Sequence, residues 1–264
     1  MNKKYLISLL LVIGGFTFSS LYSSSGSSAN ASKNDVIATD PKNLKLTKMN
    51  FEDSISSLFR TIGLDSLDMN YEVFRYGMIG FYSLKNEGKL SDRNLLSFID
   101  FTKPSTEKRF YTVELDTRSV KFHSLVSHGR NTGENMATAF SNRQHSNQSS
   151  LGFYITGETY VGSKGYSMRL DGADGLYNSN MRTRAVVMHD AEYVSEEWIR
   201  KYGRLGRSQG CPALPKGVAK EVIDTIKNKT VIFAYFNDQK YLAASEHLDL
   251  DRLFSEMDAL ASIN

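Results

Sequence analysis

The sequence holds a single cysteine, Cys211, within the segment Ser208-Gln209-Gly210-Cys211-Pro212. His189 stands upstream, directly after the apolar run 185–188. Because a free thiol with a pKa of about 8.5 is mostly protonated at neutral pH, a cysteine nucleophile needs an imidazole beside it. A strand that ends in a histidine, followed by one helix and a turn, could bring the two side chains together. The pattern therefore predicts a nucleophile, Cys211, and a general base, His189.

The residues around the cysteine favour a reactive thiol over the alternative, a buried structural cysteine. Gly210 allows close backbone approach, so the amides of Gly210 and Cys211 are candidates for an oxyanion hole. Arg204 and Arg207 would lower the pKa of the thiol and bind a substrate carboxylate, the alternative being a solvated pair. Ser208 is expected to shape the turn, because the thiol is the better nucleophile.

Other classes of site have little support. The histidines and the cysteine show no CxxC, HxxxH or HExxH spacing, so no metal site is predicted. Nucleotide-binding glycine motifs are absent, and no cofactor is expected. The 32 basic and 29 acidic residues are interleaved, which argues against binding to nucleic acid. His128, in the stretch 127–133, is interpreted as either substrate-binding or structural.

Several ordered blocks resemble L,D-transpeptidase catalytic domains of the YkuD type, and within them a divergent branch described as murein L,D-transpeptidase catalytic domain proteins. His189 matches the first histidine of that family, and Ser208, Gly210 and Cys211 match its Ser/Thr-His-Gly-Cys block. The resemblance covers roughly residues 95 to 236, and several blocks make it more specific than one motif. The further matching blocks are 127–131, 140–142, 149–154 and 165–172.

The chain departs from the common family pattern at several positions. Asp190 stands where the family has glycine, and Gln209 stands where it has histidine. Pro212-Ala213 replaces the usual pair after the cysteine. These changes keep the nucleophile and the base but bear on the acceptor site, where Gln209 is a candidate substrate-binding residue.

The resemblance implies a peptidoglycan L,D-transpeptidase that acts on peptide stems. Cys211 would attack the bond before the terminal D-alanine of a tetrapeptide and pass the thioester to an amine, giving a 3→3 cross-link. The resemblance also implies that a carbonyl just after His189, that of Asp190, orients the imidazole, although the Asp190 carboxylate is an alternative. Carbapenem β-lactams are implied as covalent inhibitors.

Three alternatives remain open. With water as acceptor the enzyme would be an L,D-carboxypeptidase, which differs only in how well the cleft excludes water. A catalytically inactive cell-wall-binding protein is the second. A papain-like cysteine peptidase is the third, but that family places the cysteine before the histidine.

The N-terminus has the pattern of a secretory signal peptide. Lys3 and Lys4 precede the apolar run 5–18, and a serine-rich stretch, 19–32, follows. We therefore expect an exported protein of the periplasm or cell envelope, without membrane attachment after cleavage; an uncleaved anchor is the alternative. The segments are predicted as a signal peptide (1–31), a linker (32–48), a helical cap (49–94), a catalytic domain (95–240) and a C-terminal helix (241–264).

Hydrophobic periodicity predicts the fold class. Short runs with strand character after residue 95, separated by long polar connections, indicate a mostly β catalytic domain with flanking helices (α+β). The resemblance implies a YkuD-like β-sandwich or barrel. Tyr71 to Lys85 is predicted as a helix, although Gly77 and Gly80 weaken the pattern. A later helix is predicted from Ser195, its N-cap, to Tyr202, with Trp198 as its buried anchor.

Overall fold

The computed structural model describes residues 41–262, with side chains described for 47–259. The predicted signal peptide, 1–31, and the first part of the predicted linker lie outside the described residues. The first helix begins at Pro41, inside the segment interpreted as a linker up to residue 48. Proline suits the first turn of a helix, because its missing N–H would have no intrahelical partner there. No helix in 41–262 is long and apolar enough to cross a membrane.

The elements alternate between helices and an eight-stranded sheet. The helices are α1 (Pro41–Ile62), α2 (Tyr71–Asn86), α3 (Gly175–Asn178), α4 (Glu196–Tyr202), α5 (Lys216–Ile226), α6 (Gln239–Ala244) and α7 (Leu250–Ser262), with 3₁₀ turns at Asp65–Leu67 and Glu246–Leu248. The strands are β1 (Leu95–Asp100), β2 (Phe110–Glu114), β3 (Ser119–Ser124), β4 (Gly152–Gly162), β5 (Gly165–Gly172), β6 (Val187–Asp190), β7 (Ala213–Leu214) and β8 (Val231–Tyr235).

The strands form one sheet in the order β3-β2-β1-β8-β4-β5-β6-β7. The pairs β1–β8 and β6–β7 are parallel, and the remaining neighbours are antiparallel. Strands β2 and β3 form a hairpin. The predicted fold class, a mostly β domain of the YkuD kind with flanking helices, is confirmed.

The two glycines that weakened the prediction of α2 are where this helix meets the sheet. A Cβ at Gly77 would overlap the ring of Phe98 on β1, and one at Gly80 would overlap the ring of Phe153 on β4. Both rings are fully buried. The helix therefore accepts two poor helix formers because only glycine lets the aromatic side chains of the sheet reach its backbone.

Helix α4 lies on the surface. Ser195 caps it as predicted, accepting a hydrogen bond from the Trp198 amide at 3.2 Å. The helix ends at Gly203, which adopts the left-handed conformation with a φ of 72°. Trp198 is only half-buried, and α4 has no buried residue, so the prediction of Trp198 as a buried anchor is wrong. Seven residues make too short a helix to sink a side chain of that size into the core.

The C-terminal segment is attached to the sheet through one buried carboxylate. Asp174 accepts hydrogen bonds from the Phe153 amide (2.6 Å), Ser245 Oγ (2.6 Å) and His247 Nδ1 (3.1 Å). The other ring nitrogen of His247 lies 3.4 Å from Glu87, just after α2. One histidine thus joins the end of α2, the sheet and the start of α7.

Candidate active site

The parallel pairing of β6 and β7 brings Cys211 beside His189. His189 is paired with Ala213, so Cys211, two residues earlier, lies level with Val187. The Val187 amide donates to Cys211 Sγ at 3.5 Å. The thiol also lies 3.9 Å from the Ala185 carbonyl oxygen, so it is held against the backbone of the segment that leads to His189. Cys211 and His189 both line one cavity of about 550 Å³.

The imidazole of His189 is oriented by the next peptide group. Nδ1 lies 2.7 Å from the Asp190 carbonyl oxygen. A carbonyl only accepts, so the hydrogen sits on Nδ1, and Nε2 keeps a free lone pair as a base. Of the two groups of Asp190 considered from the sequence, the structure places the carbonyl rather than the carboxylate at the ring. Burial lowers the pKa of His189, partly opposed by this hydrogen bond.

Opposing effects act on the pKa of the Cys211 thiol. Burial raises its pKa, while the Val187 amide and the cations of Arg184 and Lys164 act in the opposite direction. Burial thus disfavours both charged forms, the thiolate of Cys211 and the imidazolium of His189.

Ser208 closes the turn that carries the nucleophile. Its Oγ donates to the Cys211 carbonyl at 2.7 Å and accepts from the Gly210 amide at 3.0 Å. Gly210 itself has a φ of 118°, and a Cβ there would lie 2.7 Å from the Gln148 carbonyl oxygen. This residue must therefore be glycine both for its conformation and for the space around it.

The hydrogen bond to Ser208 changes the predicted oxyanion hole. The Gly210 amide already has an acceptor, so the prediction that it binds the oxyanion is corrected. The Cys211 amide has no hydrogen-bond acceptor within the described part of the chain. It is therefore the unpaired backbone donor next to the sulfur.

Arg204 and Arg207 share one acidic partner. Both pair with Glu134, at 2.9 Å for Arg204 Nε and 2.6 Å for Arg207 Nη1, so one carboxylate offsets only part of the two positive charges. Arg207 also donates to the carbonyls of Arg130 and Gly133, which fixes the loop after His128. Arg204 does not line the cavity, so its predicted substrate-binding role is corrected, whereas Arg207 lines the cavity and stays a candidate. Gln209 is exposed and lines the cavity.

His128 is a buried structural residue. It is 1% exposed and does not line the cavity. Arg109 Nη2 donates to its Nδ1 at 2.8 Å, and its Nε2 faces the carbonyls of Gly133 (3.2 Å) and Glu134 (3.1 Å). The substrate-binding interpretation of His128 is therefore corrected. Its carbonyl accepts from the Ser208 amide at 3.0 Å, which links it to the nucleophile turn.

The sequence analysis assigned no role to Arg184 and Lys164, which both line the cavity. Arg184 lies in the loop before β6, and Lys164 lies at the β4–β5 turn. The two terminal nitrogens of Arg184 donate to Ser141 O, Ser150 Oγ, Ser146 Oγ and Gln148 O at 2.5–3.2 Å. Arg184 thus fixes the loop 141–150 and places a guanidinium near the thiol. A glycine-rich turn could have suggested an exposed Lys164, but not what it faces.

No group of three histidine, cysteine, aspartate or glutamate side chains within residues 41–262 could hold a metal ion. The cavity combines a thiol, an imidazole, a backbone donor and four cationic side chains, those of Arg130, Lys164, Arg184 and Arg207. This arrangement can carry out acyl transfer through a thioester.

No curated protein sequence matches the chain. Among solved structures it is similar to an L,D-transpeptidase from Mycobacterium smegmatis (13% identity, 55% of this chain and 59% of that chain, TM-score 0.35). It is also similar to the L,D-transpeptidase LdtMt1 in complex with imipenem (13% identity, 54% of this chain and 59% of that chain, TM-score 0.35). A third similar structure is that of the helical cell shape determining protein Pgp2 from Campylobacter jejuni (13% identity, 66% of this chain and 63% of that chain, TM-score 0.37). The chain thus spans about three fifths of the length of these structures.

A family model described as the L,D-transpeptidase catalytic domain matches residues 65–235, more than half of the chain. The matched range runs from the turn before α2 to the end of β8 and includes both Cys211 and His189. The chain therefore belongs to the L,D-transpeptidase catalytic domain family.

Proposed function

We propose that this protein is a cysteine-dependent peptidoglycan L,D-transpeptidase. The observation that supports this most directly is the single cavity, in a chain of this family, that Cys211 and His189 line together. The donor is a tetrapeptide stem whose terminal D-alanine is released. The acceptor is the side-chain amine of the third residue of another stem, and the product is a 3→3 cross-link.

In the acylation step, Cys211 Sγ attacks the carbonyl carbon of the bond that joins the third residue to D-alanine. His189 Nε2 takes the thiol proton as the S–C bond forms. The oxyanion accepts a hydrogen bond from the Cys211 amide, and the nearby charge of Arg184 favours the developing negative charge. When the C–N bond breaks, the imidazolium donates its proton to the departing amine, which leaves as D-alanine.

In the second step, an amine of another stem attacks the thioester. His189 removes the proton of the amine and returns it to sulfur as the S–C bond breaks, which regenerates the thiol. The Asp190 carbonyl holds the ring in one orientation through both steps, since it stays bonded to Nδ1. If water attacks instead, the product is a tripeptide and the reaction is that of an L,D-carboxypeptidase.

Two further parts of the proposal concern partners and location. Carbapenem β-lactams are proposed to acylate Cys211, and one solved structure to which the chain is similar contains imipenem. Export to the periplasm or cell envelope is proposed from residues 1–31, because the peptide stems of the cell wall lie there.

The test is incubation of the protein with a disaccharide-tetrapeptide, followed by mass spectrometry. We expect dimers linked 3→3 together with free D-alanine, and both should disappear in Cys211→Ala and in His189→Ala. Formation of tripeptide without dimers would show that the reaction is carboxypeptidation and not transpeptidation. Unchanged tetrapeptide with retained binding to isolated cell walls would contradict the proposal and favour an inactive cell-wall-binding protein.

A further inference from the structure

A second cavity, of about 680 Å³, lies on the other side of the segment that carries the base. Its floor is apolar and is formed by Leu125, Ala191, Val194 and Pro215, and one wall is formed by Trp198 and Tyr202 of α4. We call these six residues the aromatic groove. Nothing in the proposed acyl transfer uses them.

The two aromatic side chains stand one helical turn apart and contact each other. Their ring centroids are 4.6 Å apart with an angle of 42° between the planes. Tyr202 is 50% exposed, which is unusual for so large a side chain, and Trp198 is half-buried. The indole N–H of Trp198 is buried and has no acceptor within the described part of the chain. Such a pair, left open at a concave surface, indicates a ligand site more than core packing.

Polar groups surround the apolar floor. Glu196 and Glu197 line the groove, and neither has an ion-pair partner among the described residues. Lys201 lies over the Tyr202 ring, with its Nζ 5.2 Å from the centroid. An aromatic wall with a rim of acceptors and a donor matches a pyranose, whose C–H face is apolar and whose hydroxyl groups point outward. The apolar floor suits the methyl of an N-acetyl group.

The groove adjoins the catalytic cavity but is a separate space, since no residue lines both. Along the segment 189–194, His189 and Tyr193 line the catalytic cavity, whereas Ala191 and Val194 line the groove. The Tyr193 ring lies 6.3 Å from the Trp198 ring, centroid to centroid, so one aromatic side chain separates the two spaces. In the proposed substrate, the sugar lies three peptide residues, roughly 10 Å of extended chain, from the bond that is cleaved.

We propose that the aromatic groove binds the N-acetylated amino sugars of the glycan strand while the peptide stem of that strand occupies the catalytic cavity. This inference rests on the proposed function, since it takes the same polymer as substrate. Sugar binding would raise the effective concentration of the stem at Cys211. Tyr202 is the residue on which the test depends, because it is exposed and lies outside the catalytic cavity.

The binding test uses the fluorescence of Trp198, the only tryptophan in the chain. Titration with chitotetraose, an N-acetylglucosamine oligomer, should give a saturable change in emission. In Tyr202→Ala the affinity should fall at least about 10-fold, while Tyr202→Phe, which keeps the ring, should bind as the unmodified protein does. No saturable change with the unmodified protein up to millimolar sugar, or equal affinities for all three proteins, would overturn the inference.

The kinetic test compares two donors, a tetrapeptide without sugar and the disaccharide-tetrapeptide. With the disaccharide-tetrapeptide, Tyr202→Ala should raise KM about 10-fold and leave kcat unchanged, and with the free tetrapeptide neither constant should change. An equal loss on both donors would refute the inference but leave the transpeptidase proposal standing. If the protein turned over neither donor but still bound sugar in a Tyr202-dependent way, the transpeptidase proposal would be refuted and the sugar site would stand.

Discussion

Protonation of His128 should set the acid limit of this fold. Burial, and next the Arg109 guanidinium, lower the pKa of His128 from the ordinary 6.5 to about 4. Below pH 6.5 the unfolded chain therefore binds a proton at this residue that the folded chain does not. Its contribution to stability is complete above pH 6.5 and is lost as the pH falls towards 4.

The size of the effect follows from the shift. A difference of about 2.5 pKa units corresponds to about 3.4 kcal/mol in total. About 2 kcal/mol of this is lost by pH 5 and about 3 kcal/mol by pH 4. Protonation would also replace the acceptor that Nδ1 offers to Arg109 Nη2 by a second donor. Set against a typical domain stability of about 5–15 kcal/mol, such a loss is large.

His128→Gln is the matched variant, because its side-chain oxygen can accept from Arg109 and its amide can donate to the carbonyl of Gly133. The free energy of unfolding is measured by urea denaturation of both proteins at pH 7, 5 and 4, followed by Trp198 fluorescence. Titration of all other groups cancels in the difference between the proteins. The variant should lose about 3 kcal/mol less than the unmodified protein between pH 7 and 4. Parallel losses in the two proteins would refute the reasoning.

Three further predictions concern the nucleophile turn and the base. Asp190→Asn should keep kcat/KM within about 3-fold of the unmodified protein's value, because the carbonyl orients His189. A loss beyond about 100-fold in stem-peptide turnover would assign that role to the carboxylate. Ser208→Ala removes two hydrogen bonds and should lower kcat/KM about 10- to 100-fold, corresponding to about 1–3 kcal/mol. Thiol labelling of Cys211 should be retained, and unchanged kinetics would contradict the prediction. Gly210→Ala should cost about 1–3 kcal/mol of unfolding free energy in a denaturant titration, because of its φ and the Gln148 carbonyl; an unchanged midpoint would show that the turn can relax.

The parts of the site that the sequence predicts are those fixed by neighbours along the chain. The strand before His189 and the turn at Cys211 are local patterns, and one parallel strand pair brings them together. The hydrogen bond from His189 to Asp190 involves adjacent residues, so it too could be anticipated.

The roles that were wrong depend on partners far away in sequence. Arg204 looks available until Glu134, 70 positions earlier, is seen beside it and the side chain is found outside the cavity. His128 became a candidate because nothing near it in the sequence shows that Arg109 lies beside it in the interior. Nothing in the local pattern of Arg184 reveals that it reaches the loop 141–150. Long-range pairing of this kind is set by the register of the sheet, which one sequence does not reveal.

The bonds that converge on Asp174 have a consequence for how the chain can be shortened. A fragment that stopped after α6 would remove Ser245 and His247 and leave a carboxylate, 4% exposed, with two of its donors missing. Deleting this segment would thereby leave a buried carboxylate short of two hydrogen-bond donors, next to the backbone of β4. The segment after α6 thus completes a buried polar network that begins at the sheet, so truncation there should destabilise the core and not only the surface.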